Sequence, residues 1–306
     1  MIRSRKRTVV VAILGLVTLW RILGIPSGRG HRPRLLVVLL GNLRCGEKAW
    51  QTLYDHVLDI NGKADLALLI GDTRDEYHNA TLISRARFVW KFDEYVDWAD
   101  AIDEIRGTEW RKTFLPLISE SNALFGGILG HDFQGSGAII FVLRWFLARR
   151  LVEVLDDYDL FMITRSDHYY RCDHYVLDMD PNYLWVPMGE DYDGITDRHM
   201  IAGRGNILSA LNILPPMLED PRKYASIVGD ETMNPEQLIA HRWQEDGLEV
   251  RRFARVMFTC AASGDTTRWK KMGSEVWEGV FLKYYREYIA SYETCGLPVG
   301  LPPPSE

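Results

Sequence analysis

The sequence lacks most of the motifs that announce a chemistry. No serine sits in a G-x-S-x-G frame, the GSG at 135–137 included, and no Ser-His-Asp order or HGG-type loop stands out. This removes the nucleophile-elbow hydrolases. The glycine-flanked loop GNLRCGEKAW, starting at Gly41, is neither a P-loop nor a G-x-G-x-x-G turn. His168 and His174 do not have a strong zinc-ligand spacing. Positive charge is in deficit, with 36 Lys and Arg against 42 Asp and Glu; a net charge of −6 argues against a broad nucleic-acid surface. Repeats and low-complexity tracts are absent apart from the closing LPPPSE. There are only four cysteines, and a chain of 306 residues that is 47% hydrophobic can build a core without disulfide staples. If Cys45, Cys172, Cys260 and Cys295 are oxidised, they can form two bridges in any of three pairings; the alternative is four reduced thiols.

What is present begins at the N-terminus. MIRSRKR (1–7) carries four cations and no acid, and residues 8–25 are apolar except for Arg21 and a few small polar residues. The run is short for a span of roughly 20 residues, but Arg21 can snorkel to an interface. With no small-x-small cleavage site near Gly24–Gly28, an uncleaved signal anchor is preferred over a cleaved signal peptide. The positive-inside rule then places the bulk of the chain in the lumen. Residues 26–33 read as a stem, and Asn79-Ala80-Thr81 is an N-glycosylation sequon that agrees with a lumenal address.

From residue 34 to 295, buried strands alternate with helices. RLLVVLLGN (34–42), ADLALLIGD (64–72) and LFMITRSD (160–167) are apolar runs of the kind buried on both faces of a parallel sheet. A helix is expected over GEKAWQTLYDHVLDIN, helical patches over residues 92–105, and a long amphipathic helix over residues 135–159. Further strands are expected at YLWVP and HMIAG, a helix ending at Pro215, an Asn-capped helix from Asn234 to Gly247, and a late strand region over residues 248–261. The class is α/β, a mostly parallel sheet flanked by helices. The 10 Trp and 14 Tyr are expected mainly to fill its core. The Pro-rich tail is 296–306.

In open α/β sheets ligands sit at the carboxyl ends of strands. Arg44, Asp72 and Asp167 each fall just past such an end. Gly41 and Arg44 suit a diphosphate, through close backbone approach and a guanidinium fork. Asp167 is the candidate ligand for Mg²⁺ or Mn²⁺, and Arg165 is placed to pair with Asp167 or with a phosphate. The acidic loop GEDYDGITDRH offers Asp193 and Asp197 as candidate bases, with Asp197 next to Arg198. Glu236, in the first turn of a helix, is read as a carboxylate favoured by the helix dipole. DTTRW (265–269) and KYYREY (283–288) place cations beside aromatic rings, as a surface face or as a clamp on an anionic leaving group.

Tyr158-Asp159, the strand ending at Arg165-Ser166-Asp167, Pro187–Gly189 and Gly194–Arg198 together resemble the core of glycosyltransferase-like domains from algae, other protists, large DNA viruses and bacteria. The tail, anchor and stem resemble those of a type II membrane glycosyltransferase. The resemblance implies a GT-A-like (Rossmann-like) fold, a nucleotide-sugar donor, a glycan or glycoprotein acceptor, and a Golgi or endoplasmic reticulum membrane address. It also implies a D-x-D pair holding Mn²⁺. Here that position reads Arg165-Ser166-Asp167, so either Asp167 holds the metal alone or Arg165 supplies part of its charge. Two rivals are a Golgi sulfotransferase, disfavoured by Glu47 beside the sulfonate donor's loop, and a non-catalytic glycan-binding protein on a decayed transferase fold.

Overall fold

The computed structural model describes residues 33–71, 77–118, 123–128, 135–267, 269–277 and 280–296. The expected tail, anchor and stem up to residue 32, Asp72, and the tail beyond Gly296 lie outside the described residues. Among the described residues no helix is long and apolar enough to cross a membrane.

In chain order the strands are β1 (Leu35–Leu40), β2 (Asp65–Ile70), β3 (Phe88–Lys91), β4 (Leu160–Thr164), β5 (His168–Tyr170), β6 (Leu184–Pro187), β7 (Met200–Gly203), β8 (Val250–Phe253), β9 (Met257–Ala262), β10 (Met272–Trp277) and β11 (Val280–Leu282). The helices that position the site are α1 (Glu47–Leu53), α2 (Trp98–Arg106), α3 (Gly137–Leu151), α4 (Pro235–Glu245) and α5 (Tyr285–Cys295). Seven strands form one sheet in the order β3-β2-β1-β4-β7-β6-β8. All its neighbours run parallel except at β7, which is antiparallel to both β4 and β6. The fold is therefore α/β and Rossmann-like.

β1 lies between β2 and β4, with Leu36 opposite Asp65 and Leu35 opposite Leu160. It is apolar at every position because both faces are covered. Leu36 and Val38 pack with α2, α3 and α4, while Leu35, Val37 and Leu39 pack with α1, α5 and β9. The covered faces also explain α3. It is apolar all round rather than amphipathic as expected, with Phe141, Val142, Leu143, Leu147 and Leu151 buried and Ile139, Ile140 and Phe146 partly so. α4 starts as its sequence predicts: Asn234 accepts from the Gln237 N–H, Gln237 accepts from the Asn234 N–H, and Pro235 opens the first turn.

Three expectations are corrected. Pro215 does not end a helix; Pro215 and Pro216 open a second one, Leu214–Glu219, where their missing N–H groups go unneeded. The late strand region splits into β8 and β9, which belong to different sheets. That second sheet, β10-β11-β9-β5, is antiparallel and was not anticipated. Of the three possible pairings the cysteines adopt Cys45–Cys260 and Cys172–Cys295.

Between the two sheets lie three buried histidines, His168, His174 and His199. The Thr164 hydroxyl lies 2.9 Å from His168 Nδ1, 3.0 Å from His199 Nδ1 and 3.1 Å from the Tyr170 hydroxyl. Burial holds all three rings neutral, pushing His168 down to about 3, His174 down to about 4 and His199 well below the ordinary value. The unfolded chain protonates its histidines near pH 6.5, so below that pH it binds more protons than the fold does, and stability falls as pH falls. From pH 6.5 to 5, above the range in which carboxylates of the unfolded chain titrate, each histidine should remove roughly 2 kcal/mol. Urea midpoints measured across that window should drop steeply; a flat profile would contradict the burial of three neutral rings.

Candidate functional site

The chain lays down β1, β2 and β3 in one direction and then returns to place β4 on the other side of β1. The carboxyl ends of β1 and β4 are thereby side by side, and a crevice lies there, the place where doubly wound sheets bind ligands. A cavity of about 260 Å³ occupies that crevice. Its floor is the residues just past β1 (Gly41, Asn42, Arg44) and those at and past the end of β4 (Thr164, Arg165, Asp167). One end is lined by Phe92, Glu94, Tyr95 and Trp98, from the end of β3 to the start of α2. The opposite wall carries Asp197, Arg198, Trp269 and Lys283.

The backbone around the floor is tightly held. The Ser166 hydroxyl donates to the Asn42 carbonyl at 3.1 Å and accepts from the Arg44 N–H at 3.1 Å. The Trp50 indole N–H is shared between the carbonyls of Arg44 (3.0 Å) and Ser166 (3.1 Å). Cys45, at φ 68°, donates its N–H to Asp265 at 2.7 Å, and its disulfide ties this loop to β9. Asp265, from the DTTRW stretch, thus serves structure: it also accepts from the Ala262 N–H and the Tyr77 hydroxyl. Gly71, past the end of β2, must be glycine, because a Cβ there would come within 2.5 Å of Glu94 and 2.9 Å of Asn42.

Asp167 is buried, and both its oxygens are taken by Arg165: Nε donates to Oδ1 at 2.7 Å and Nη2 to Oδ2 at 2.6 Å. Arg44 Nη1 lies 3.8 Å from Oδ2. Burial alone would raise this carboxyl's pKa; the Arg165 guanidinium, helped by Arg44, overrides burial and holds it well below the usual range. Among the described residues the carboxylate at the end of β4 offers no free oxygen to a divalent metal. Asp167 is committed to a guanidinium, and among the described residues no group of three or more His, Cys, Asp or Glu side chains could hold an ion.

The acidic loop brings only part of its charge to the site. Asp193, at φ 62°, is exposed and does not line the cavity. Asp197 does, with its side chain 7% exposed and Oδ1 3.8 Å from Arg198 Nε. The loop docks on the start of α4 through Gly194, where a Cβ would come within 2.2 Å of the Glu236 backbone, and through the Ile195 N–H, which donates to the Glu236 carbonyl at 3.0 Å. This sets Glu236 behind Asp197. Burial, and then the charge of Asp197, push the Glu236 carboxyl up to about 7, so it is more than the helix-dipole carboxylate expected. Glu47 is turned away from the cavity and accepts from the Thr81 N–H and hydroxyl, which removes the objection that an acid faces the donor's loop.

Five cations line the cavity (Arg44, Arg144, Arg165, Arg198, Lys283) against three carboxylates (Glu94, Asp167, Asp197), an excess of positive charge in a protein of net charge −6. Arg44, Arg165 and Gly41 stand where the sequence placed them. Sequence reasoning missed Arg144, inside a helix read as amphipathic, and the group Phe92, Glu94, Tyr95 and Trp98, which follows a strand it did not identify. No protein-family model matches the chain, and no curated protein matches it, so function has to be read from the site.

Replacing Asp167 with Ala should do more than remove a functional group. It leaves the Arg165 guanidinium beside a cavity without its carboxylate, and breaking such a pair costs about 3 kcal/mol or more. Urea denaturation of Asp167→Ala should show that loss; a midpoint equal to that of the native protein would mean that the pair does not hold the turn.

Proposed function

We propose that this domain is a GT-A-like glycosyltransferase that moves a sugar from a nucleotide-sugar donor to a glycan or glycoprotein acceptor. In this reading it is a type II membrane protein held by residues 8–25 in the Golgi or endoplasmic reticulum, with the domain in the lumen. The observation that carries the reading is the polarity of the crevice. Five cations gather around it, an aromatic end suits a base or sugar ring, and Asp197 shares the wall of Arg198 and Lys283, with Glu236 behind it.

That layout suits a direct displacement. The acceptor hydroxyl loses its proton to a carboxylate, its oxygen bonds to the anomeric carbon, and the bond from that carbon to the diphosphate oxygen breaks with its electron pair leaving on the diphosphate. Negative charge then grows on the diphosphate side, where preorganised guanidinium groups stabilise it most. Glu236 is the better base: a carboxyl brought to about 7 is half ionised near neutral pH and is matched to proton transfer there. Asp197 lines the cavity next to it and orients the acceptor, and Asp193 has no part in the site.

Donor screening by thermal shift, with UDP-, GDP- and CMP-sugars and with 3′-phosphoadenosine 5′-phosphosulfate, tests the class. One nucleotide-sugar held well above its Kd should stabilise the domain by roughly 2–4 kcal/mol. A shift with the sulfonate donor alone would favour the sulfotransferase, and a folded protein that responds to none of them the decayed scaffold. With the donor in hand, kcat should rise with pH through about 7 as Glu236 ionises. Glu236→Gln should lower kcat by about 10²–10⁴-fold with donor affinity unchanged. An unaltered kcat would remove Glu236 from the chemistry.

A further inference from the structure

Among the described residues, three hydrogen-bond donors lining the crevice have no protein acceptor. Arg198 is buried, and its Nη1 is occupied by Glu287 at 2.8 Å and Thr259 at 3.3 Å, but its Nη2 has no partner. The buried indole N–H of Trp269 has none either. The Lys283 ammonium lies 5.9 Å from the centre of the Trp269 ring and 4.8 Å from that of Tyr284, and among the described residues no carboxylate or hydrogen-bond acceptor pairs with it. All three residues line the cavity. Unpaired buried donors are costly unless a ligand satisfies them, and beside an ammonium with no protein acceptor they call for a ligand rich in anionic oxygens.

The fold aims Lys283 at the floor. It is the first residue past β11, its backbone N–H is held by the Thr259 carbonyl at 3.0 Å, and β11 pairs with β9 beside Cys260, whose disulfide partner Cys45 follows Arg44. The second sheet thus sets Lys283 across the crevice from the two arginines of the main sheet. Arg165 is spent on Asp167, Arg198 is held by Glu287, and Arg144 gives its N–H groups to the carbonyls of Asp197 (3.0 Å) and Ala210 (3.3 Å) and to the Met200 sulfur (3.7 Å).

We propose that the nucleoside diphosphate in this crevice is held and neutralised by protein cations, with Lys283 as the principal phosphate ligand, and without a divalent metal. This rests on the reading of the crevice as a nucleotide-sugar site. It assigns to Lys283, Arg198 and Arg44 the charge that a metal would otherwise supply, in line with a floor carboxylate that is not free to bind one.

Titration calorimetry with UDP, GDP and CMP on the lumenal domain, in EDTA and again in Mn²⁺, tests it. One nucleotide should bind equally well in both. Lys283→Met should weaken that binding at least tenfold and Lys283→Arg should restore most of it. The melting temperature of Lys283→Met should fall little, since the ammonium gives up no protein acceptor and only its contacts with the Trp269 and Tyr284 rings are lost. Burial, then Arg198 and Arg165, offset in part by Asp197 and Asp167, bring Lys283 down to about 8, so affinity should also fall as pH rises through 8. Binding that requires Mn²⁺, or that ignores Lys283→Met, overturns the proposal and leaves the nucleotide-sugar reading standing. No binding of any nucleotide to the native protein, with or without metal, overturns that reading and the proposal with it. The metal comparison needs only the native chain and stands even if a variant fails to fold.

Discussion

The short turn Arg165-Ser166-Asp167 at the end of β4 is the constraint on which the rest of the site depends. Arg165 closes onto Asp167 in a two-bonded pair, which makes the turn rigid. Ser166 holds the loop after β1 at both Asn42 and Arg44. The Asp167 carbonyl accepts from the Cys260 N–H at 2.8 Å and so fastens the second sheet. One tripeptide thereby joins the loop that carries Arg44 to the sheet that carries Lys283, and the Cys45–Cys260 bridge closes the same circuit covalently. The crevice between β1 and β4 keeps its width because its two walls are tied at its floor.

Charge is distributed around that circuit with a clear asymmetry. Glu287 on α5 is buried; burial would raise its pKa, but Arg198 and Arg255 bring it down to about 2, and its second oxygen accepts from the Thr259 N–H at 2.7 Å. It fixes the direction of Arg198, which shares Glu287 with Arg255 and has Asp197 3.8 Å from its Nε. Gly194 lets the acidic loop sit on the first turn of α4, which crowds Asp197 and Glu236 together; burial and then the charge of Asp197 raise the Glu236 carboxyl to about 7. A surplus of cations beside a carboxylate that can take a proton suits a displacement with an anionic leaving group.

Much of the main sheet was legible in the sequence because β1, β2 and β4 are buried on both faces and read as unbroken apolar runs. The rule that ligands meet strand ends then led straight to Arg44, Arg165 and Asp167. The second sheet was not legible. β5 is three residues long and lies inside a charged stretch, and β9 runs on from β8 with no turn signal to separate two sheets. β3 is short, at the edge, and alternates in exposure, so the aromatic end of the cavity went unread. Lys283 was visible only as a cation beside tyrosines. What marks it is the absence of a partner, a property of the folded surroundings. The same is true of Glu236, whose pKa is raised by burial and then by Asp197, in a loop about forty residues away in the chain.

The most direct measurement is a crystal structure of residues 33–306 grown with a nucleoside diphosphate. The central claim places the diphosphate at the carboxyl ends of β1 and β4, with its oxygens within hydrogen-bond distance of Lys283 and Arg198, the nucleoside toward Phe92 and Trp98, and the Arg165–Asp167 pair intact. A nucleotide bound outside this crevice, or one whose binding parts Arg165 from Asp167 to admit a metal, would contradict it.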